Sequence, residues 1–276
     1  MAILNVTPDS FSDGGRFANA EAAAGEGARY ADLGASIIDI GGESTRPKGS
    51  AYGKGAREIS AEEEEGRVLP VLSSLRRKRP SIPISVDTRR FSVARAALDA
   101  GADIVNVVTG LTASDELLST IAAAHAAVIL NHCRGTPQTT FEESSFTDAV
   151  AEVSADLRAA RARAISFGIS EQRIFLDPGL GFGKTPEQNF ALLGALDRLA
   201  PPGVPLVVGA SRKAFLGMVA GARVDDRLPE SLATVAVAAR LTPGRAVLVR
   251  VHDVDETIRF LGVLARTNGD APGRVT

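Results

Sequence analysis

Cysteine is almost absent: Cys133 is the single thiol in 276 residues. One cysteine makes no internal disulfide and no zinc site, and it suits a reducing compartment, so the cytoplasm is the expected location. Histidine is nearly as scarce. His125, His132 and His252 are dispersed along the chain, which argues against a histidine-built metal centre. Charge of one sign is lacking too. The formal net charge is −2, so no global field draws the chain to nucleic acid or to an anionic membrane. No apolar run approaches the roughly 20 residues needed to span a bilayer. The start, Met-Ala-Ile-Leu-Asn, turns polar at once and does not read as a secretory signal.

What is present is an ordinary globular balance, 45% hydrophobic and 23% charged residues. Of 31 cationic residues only five are lysine, leaving 26 arginines, so a basic local pocket stays open. Short β-branched runs alternate with longer Ala, Leu and Arg stretches. The predicted strands are Ile3–Val6, Ile37–Ile40, Ile84–Val86, Ile104–Val108, Val128–Leu130, Ile174–Leu176, Leu206–Val208 and Val247–Val251. The helices between and after them are Glu21–Leu33, Ala61–Arg77, Ser92–Ala100, Ser114–Ala124, Phe146–Ser166, Glu187–Leu199, Ser231–Arg240 and Glu256–Asn268. Strands this short and apolar on both faces belong to a parallel sheet covered by helices. Eight such units, each about 34 residues long, predict an α/β fold of the (β/α)8 TIM-barrel type rather than an open sheet. No linker or composition break divides residues 1–276, so one domain is expected. Gly-Ala-Ser at 34–36 and Gly-Ala-Asp at 101–103 read as helix ends.

In such a barrel, chemistry sits at the C-terminal ends of the strands. Unusual polar residues collect there: Asn5 to Gly15, Asp39 to Pro47, Asp87-Thr88, Asn106, Asn131 to Gly135, Asp177 to Thr185, Gly209 to Lys213, and Arg250 to Asp253. Some of them have a plain structural use. Ser92, Ser114 and Asp253 are expected to cap helices. Asp87 and Asp177 are harder to explain that way. Thr88 can begin the turn itself, and Pro178 holds Asp177 extended. The glycine-rich stretch Gly179 to Thr185 mimics a phosphate loop but has one residue too few between Gly179 and Gly183. It reads better as a loop for close approach, with Phe182 set against a flat ligand. Arg250 and His252, two apart on a strand, share a face and suit an anion. A hard cation such as Mg²⁺, held mostly by ligand phosphates, would need one amide oxygen, and Asn5 suits that role. Cys133 is expected to be an inert packing residue.

Taken together, Asn5–Gly15, Gly42–Pro47, Ser85–Thr88, Asp177–Thr185, Ser211–Lys213 and Arg250–Val254 resemble the dihydropteroate synthase family, in family order and each at a predicted strand end. The resemblance implies a transferase of folate biosynthesis. It would join 6-hydroxymethyl-7,8-dihydropterin diphosphate to p-aminobenzoate, releasing diphosphate and 7,8-dihydropteroate. It implies pterin contacts from Asp87, Asn106, Asp177, Phe182 and Lys213. Thr45, Arg46, Pro47 and Ser211 would shape the p-aminobenzoate pocket. Asn5, Arg46, Arg250 and His252 would hold the diphosphate, with Mg²⁺ on Asn5. Asp13, Arg46, Asp87 and Lys213 are the implied catalytic set, the carboxylates of Asp13 and Asp87 stabilising a cationic pterin methylene in a dissociative substitution. The family is usually dimeric; sulfonamide sensitivity is expected because such drugs mimic p-aminobenzoate, and the first two loops, with Gly14, Gly15, Gly41 and Gly42, are expected to close over the substrates.

Four departures stand out. Val107 replaces an acidic residue, although strand alternation turns it away from the ligand. Asn131 replaces a methionine and puts an amide in the pocket that needs a partner of its own. The second loop is extended through Lys48 to Arg57, and the family's segment before the first strand is expected to be missing. Two other readings therefore stay in view: a pterin-binding barrel without turnover, and a methyltetrahydrofolate:corrinoid methyltransferase. The second is disfavoured by Arg46, Arg250 and His252, since a methyl donor has no diphosphate to lose. Arg250→Ala is expected to hurt diphosphate handling and to spare the bare pterin.

Overall fold

The first strand, β1 (Ala2–Asn5), pairs in parallel with β2 (Ile38–Gly41), and the order continues through β3 (Ile84–Asp87), β4 (Ile104–Val107), β5 (Ala127–Asn131), β6 (Ile174–Asp177), β7 (Leu206–Val208) and β8 (Val247–Val249). A parallel bridge between Ala2 and Val251 joins the last strand to the first. Its hydrogen bonds, Ile3 N to Val251 O at 2.9 Å and Val251 N to Met1 O at 3.0 Å, close the barrel. This computed structural model describes residues 1–6, 20–44, 58–241 and 245–267, with side chains left out at 220, 225 and 241. Asp13, Thr45, Arg46 and Pro47 therefore lie outside the described residues, as does the extended second loop from Lys48 to Arg57.

The helices are α1 (Ala20–Asp32), α2 (Ala61–Lys78), α3 (Phe91–Asp99), α4 (Asp115–Ala123), α5 (Thr140–Glu143), α6 (Ala149–Ser166), α7 (Pro186–Leu193), α8 (Ala214–Ala220), α9 (Leu228–Leu241) and α10 (Val254–Thr267). Side-chain caps fix where several begin. The Ser60 hydroxyl accepts from Glu63 N, Ser114 from Leu117 N, and Asp148 from Val150 N and Ala151 N. Thr185 and Gln188 form a capping box at α7, with Pro186 in its first turn. Gly34 and Gly101 turn the chain at φ +108° and +98°, as their place after helices predicts.

Ser92 is not a cap. The α3 helix already begins at Phe91, and the cap position falls to Arg90, which makes no side-chain cap bond. Its guanidinium instead reaches Glu43 at 3.0 and 3.1 Å, Ile59 O at 2.6 Å, and Glu64. Asp253 stands directly before α10, where its carbonyl accepts from Thr257 N at 3.1 Å, and its carboxylate is bonded to Arg212. The predicted helix 187–199 breaks after Leu193 and resumes as a 3-10 turn at Leu196–Arg198.

Strand alternation divides the core. Outward residues pack beneath the helices: Val105, Val107, Val128, Leu130, Ile174, Leu176, Leu206 and Val208 on one side, and Leu4, Ile38, Ile40, Ile84 and Val86 on the other. Inward residues nearer the strand starts, Met1, Ile37, Ile104, Ile129 and Val207 with Phe175 and Leu248, fill the barrel floor. The next inward position along each strand is therefore a rung higher. There the chain has Ile3 on β1, and Asp39, Asn106, Asn131, Asp177, Gly209 and Arg250 on other strands. The site follows from this change of character, apolar on the lower rung and, apart from Ile3, polar or glycine on the upper.

Candidate active site

Asp39 is fully buried on β2. Its Oδ2 accepts from Arg250 Nε at 2.7 Å and from Asn106 Nδ2 at 3.2 Å. Arg250 Nη2 donates to Asp87 Oδ2 at 2.9 Å, so one guanidinium ties β8 to β2 and β3. Burial opposes the charge on Arg250, but Asp39 and Asp87 outweigh it and hold its pKa above the usual arginine value. Burial pushes the Asp87 carboxyl up to about 7; Arg250 pulls it down, and Asp39, Glu64 and Glu43 push it further up. Asp39 Oδ1, Asp87 Oδ1, Ser85 Oγ and Asn131 Oδ1 are buried without hydrogen-bond partners among the described residues.

Asp177 closes β6 and accepts at Oδ1 from Gly179 N at 2.7 Å. Burial raises its pKa, while Lys213 and this backbone donor lower it. Lys213 donates to Leu180 O and sits 4.6 Å above the Phe182 ring. Burial brings Lys213 down to about 8, against the pull of Asp177. Phe182 in turn packs against Val108 and Cys133, and burial raises the Cys133 thiol pKa.

The loop that carries Phe182 is held from below by Lys184, only 3% exposed. Its ammonium reaches Gly179 O at 3.0 Å, Phe182 O at 3.0 Å, His132 O at 3.3 Å and His132 Nδ1 at 3.2 Å. Asp156 engages His132 Nε2 at 3.1 Å on the far side. Burial lowers Lys184 to about 7 and His132 to about 3.

On the opposite rim, His252 Nδ1 lies 3.1 Å from Ser211 Oγ, which also accepts from His252 N at 3.2 Å. Burial and the nearby Arg212 and Arg250 lower His252 to about 3, so it is a neutral imidazole, a dipole rather than a cation. Between Ser211 and Lys213, Arg212 sits at φ +58°, unusual for a residue with a side chain. Ser231 Oγ accepts from its N–H at 3.1 Å, Arg227 donates to its carbonyl at 3.0 Å, and Asp253 takes its guanidinium. Three anchors thus impose the backbone angle that aims Ser211 and Lys213 at the mouth.

The structure brings Asp87, Asn106, Asp177, Phe182, Lys213 and Arg250 around one polar barrel mouth, with Ser211 and His252 on its rim. Asn5 ends β1 facing the same mouth. A Cβ at Gly41 would lie 3.3 Å from Asn5 Oδ1, so glycine lets the two strand ends approach closely there. Among the described residues no three His, Cys, Asp or Glu side chains come together as a metal site. The sequence places Asp39 among the polar strand-end residues but gives it no role, since it sits inside β2; its inward parity, shared with Gly41, was the available signal. Sequence reasoning missed the Lys184 clamp and the Glu43–Arg90–Glu64 cluster, whose partners are distant in the chain.

A barrel with a polar mouth of this make defines a small-molecule enzyme of the α/β class. The chain belongs to the family of pterin binding enzymes, whose model matches residues 1–252. It is 44% identical to the dihydropteroate synthase of Synechocystis over 257 residues, covering 92% of this chain and 85% of that one. The Yersinia pestis dihydropteroate synthase, solved in a sulfonamide drug complex, superposes with a TM-score of 0.87 at 36% identity, covering 98% and 94% of the two chains. The Xanthomonas albilineans enzyme in complex with 7,8-dihydropteroate gives 0.82 at 37% identity, again over 98% and 94%. No helix among the described residues is long and apolar enough to cross a membrane.

Proposed function

We propose that this chain is a dihydropteroate synthase, condensing 6-hydroxymethyl-7,8-dihydropterin diphosphate with p-aminobenzoate. The observation that carries the reading is the upper rung of the barrel. It offers buried acceptors without donors, at Asp39, Asp87 and Asn131, beside Asp177 and Lys213. Such a pocket takes a flat heterocycle rich in N–H groups, and an aminopyrimidinone has them. The relatives named above act on that substrate class.

The chemistry follows from the charges. The bond between the pterin methylene carbon and the diphosphate oxygen breaks, and its electron pair leaves with the diphosphate. Asp87 on the inner face, with Asp13 from the first loop, stabilises the positive charge left on the pterin. The amine nitrogen of p-aminobenzoate then bonds to the methylene carbon and loses a proton to solvent. Arg250 and His252 would hold the leaving diphosphate, His252 as a hydrogen-bond donor through Nε2, and the family resemblance adds Arg46 to them. By the family resemblance, Thr45, Arg46, Pro47 and Ser211 would bind p-aminobenzoate. A hard cation such as Mg²⁺ would suit an amide oxygen such as that of Asn5. With one protein ligand it would be held mainly by the diphosphate, whose charge it would neutralise. The same reading carries a homodimer, for which the exposed Met218, Val219 and Val224 beside α8 supply apolar surface.

The test is diphosphate release from the pterin diphosphate with p-aminobenzoate and Mg²⁺. Release that requires both additions supports the reading. Tight pterin binding with no product would leave a binding protein instead.

A further inference from the structure

Asn131 ends β5 on the inner face, one rung above Ile129. Its register partner on β6 is Asp177, so the two side chains stand together at the mouth. Asn131 is 6% exposed. Its amide nonetheless makes no hydrogen bond among the described residues, and Oδ1 is buried without a donor. A folded core avoids that arrangement unless something else uses the group.

The neighbours hold this amide without satisfying it. Gly179 presses against it: a Cβ there would lie 3.0 Å from Asn131 Oδ1 and 1.9 Å from His132 O. The Gly179 N–H is already given to Asp177 Oδ1. Behind the strand, a Cβ at Gly110 would lie 2.7 Å from Asn131 N, so the backbone has no room to withdraw. Two further unpaired acceptors, Asp39 Oδ1 and Asp87 Oδ1, sit at the same level of the barrel.

We propose that Asn131 is a specificity-determining residue whose amide hydrogen-bonds the polar edge of the bound pterin ring, alongside Asp177. This rests on the reading of the mouth as a pterin site. An apolar residue at this place would suit the empty protein better and the ligand worse. Stability and affinity should therefore move in opposite directions on substitution, which a merely structural residue would not produce.

The experiment compares the unaltered chain with Asn131→Leu and Asn131→Ala. Each is titrated with 6-hydroxymethylpterin, which lacks the diphosphate, following its fluorescence, and each is melted without ligand. The expected result for Asn131→Leu is a melting temperature equal to or above the parent's, with pterin binding weaker by roughly ten- to a hundredfold. KM for the pterin diphosphate should rise with it, while KM for p-aminobenzoate stays within about twofold. Asn131→Ala, which adds no volume, should lose affinity similarly if leucine does not fit. Unchanged pterin affinity in both variants overturns the proposal. So does a parallel fall of melting temperature and affinity in both, which makes Asn131 a residue of the fold. If the parent itself binds no pterin, the pterin reading fails and takes this proposal with it.

Discussion

Asp87 and Lys213 titrate toward each other across the barrel mouth. The acid is pushed up to about 7 and the base brought down to about 8, so only a narrow pH range has carboxylate and ammonium together. Asp39, Asp177, Arg250, Glu43 and Glu64 share this field, so the apparent values belong to the cluster. Raising pH first ionises Asp87 and then removes the proton of Lys213. The expected profile of kcat/KM for the pterin substrate is a bell, with limbs near these two values. Asp87→Asn should abolish its acid limb and cost activity of at least about two orders of magnitude. Folding favours the neutral form of Asp87. Its stabilising contribution is present below its ordinary 3.8 and is lost as pH rises through about 7. Urea midpoints of the apo protein should fall over that window, and Asp87→Asn should flatten the fall.

Arg250 gives a different outcome from the one its sequence position predicts. Read as a diphosphate ligand alone, its loss spares the bare pterin. In the structure it is the shared counter-ion of Asp39 and Asp87, 211 and 163 positions away in sequence. Arg250→Ala strands two buried carboxylates, and a loss of about 3–5 kcal/mol is expected in urea unfolding. Affinity for 6-hydroxymethylpterin should fall as well. Equal affinity in the variant would restore the simpler role.

At the level of elements, the loop between β6 and α7 is the most constrained part of the site. It carries Asp177, whose Oδ1 is bonded to Gly179, and Leu180, whose carbonyl holds Lys213; Lys184 ties both Gly179 and Phe182 from beneath. Gly179 stands at φ +64°, with no space for a Cβ. Gly179→Ala should cost about 2–4 kcal/mol, by strain and by overlap with His132 O. Denaturant unfolding measures it, and a change under about 1 kcal/mol would show that the loop yields.

The alternation of strands and helices was legible because each strand needs a helix-length return, and the two hydrophobic periods differ. Inward parity placed Asn106 toward the mouth and Val107 away from it, and the structure agrees, with Val107 in the outer core. The short α5 and α8 were not legible. Thr140–Glu143 is a single turn, and Ala-Phe-Leu-Gly-Met-Val-Ala has no polar face to set a period. Ser92 looked like a cap because serine commonly is one, but α3 already starts at Phe91, and Arg90 at its cap position is bonded to Glu43 and Glu64, far away in sequence. The roles of Asp39 and Lys184 escaped for the same reason, since pairing over long sequence distance leaves no local pattern.

For the whole molecule, ligand binding should appear as stability. Pterin at one hundred times its Kd adds about 2.7 kcal/mol, so a thermal melt in 6-hydroxymethylpterin should rise measurably, and p-aminobenzoate alone should do less. Sedimentation or light scattering tests the dimer, with Met218→Asp expected to shift the chain toward monomer. The lone thiol adds a measurement that needs no engineering. Cys133 is fully buried, packed under Phe182 and Val108. A reagent that modifies thiols in the native protein therefore waits for the β6–α7 loop to lift. Its rate, referred to that of the unfolded chain, is a clock for the opening of the pterin wall. Saturating pterin should slow the clock in proportion to its occupancy, so one natural sulfur atom reports both how often the pocket breathes and when it is filled.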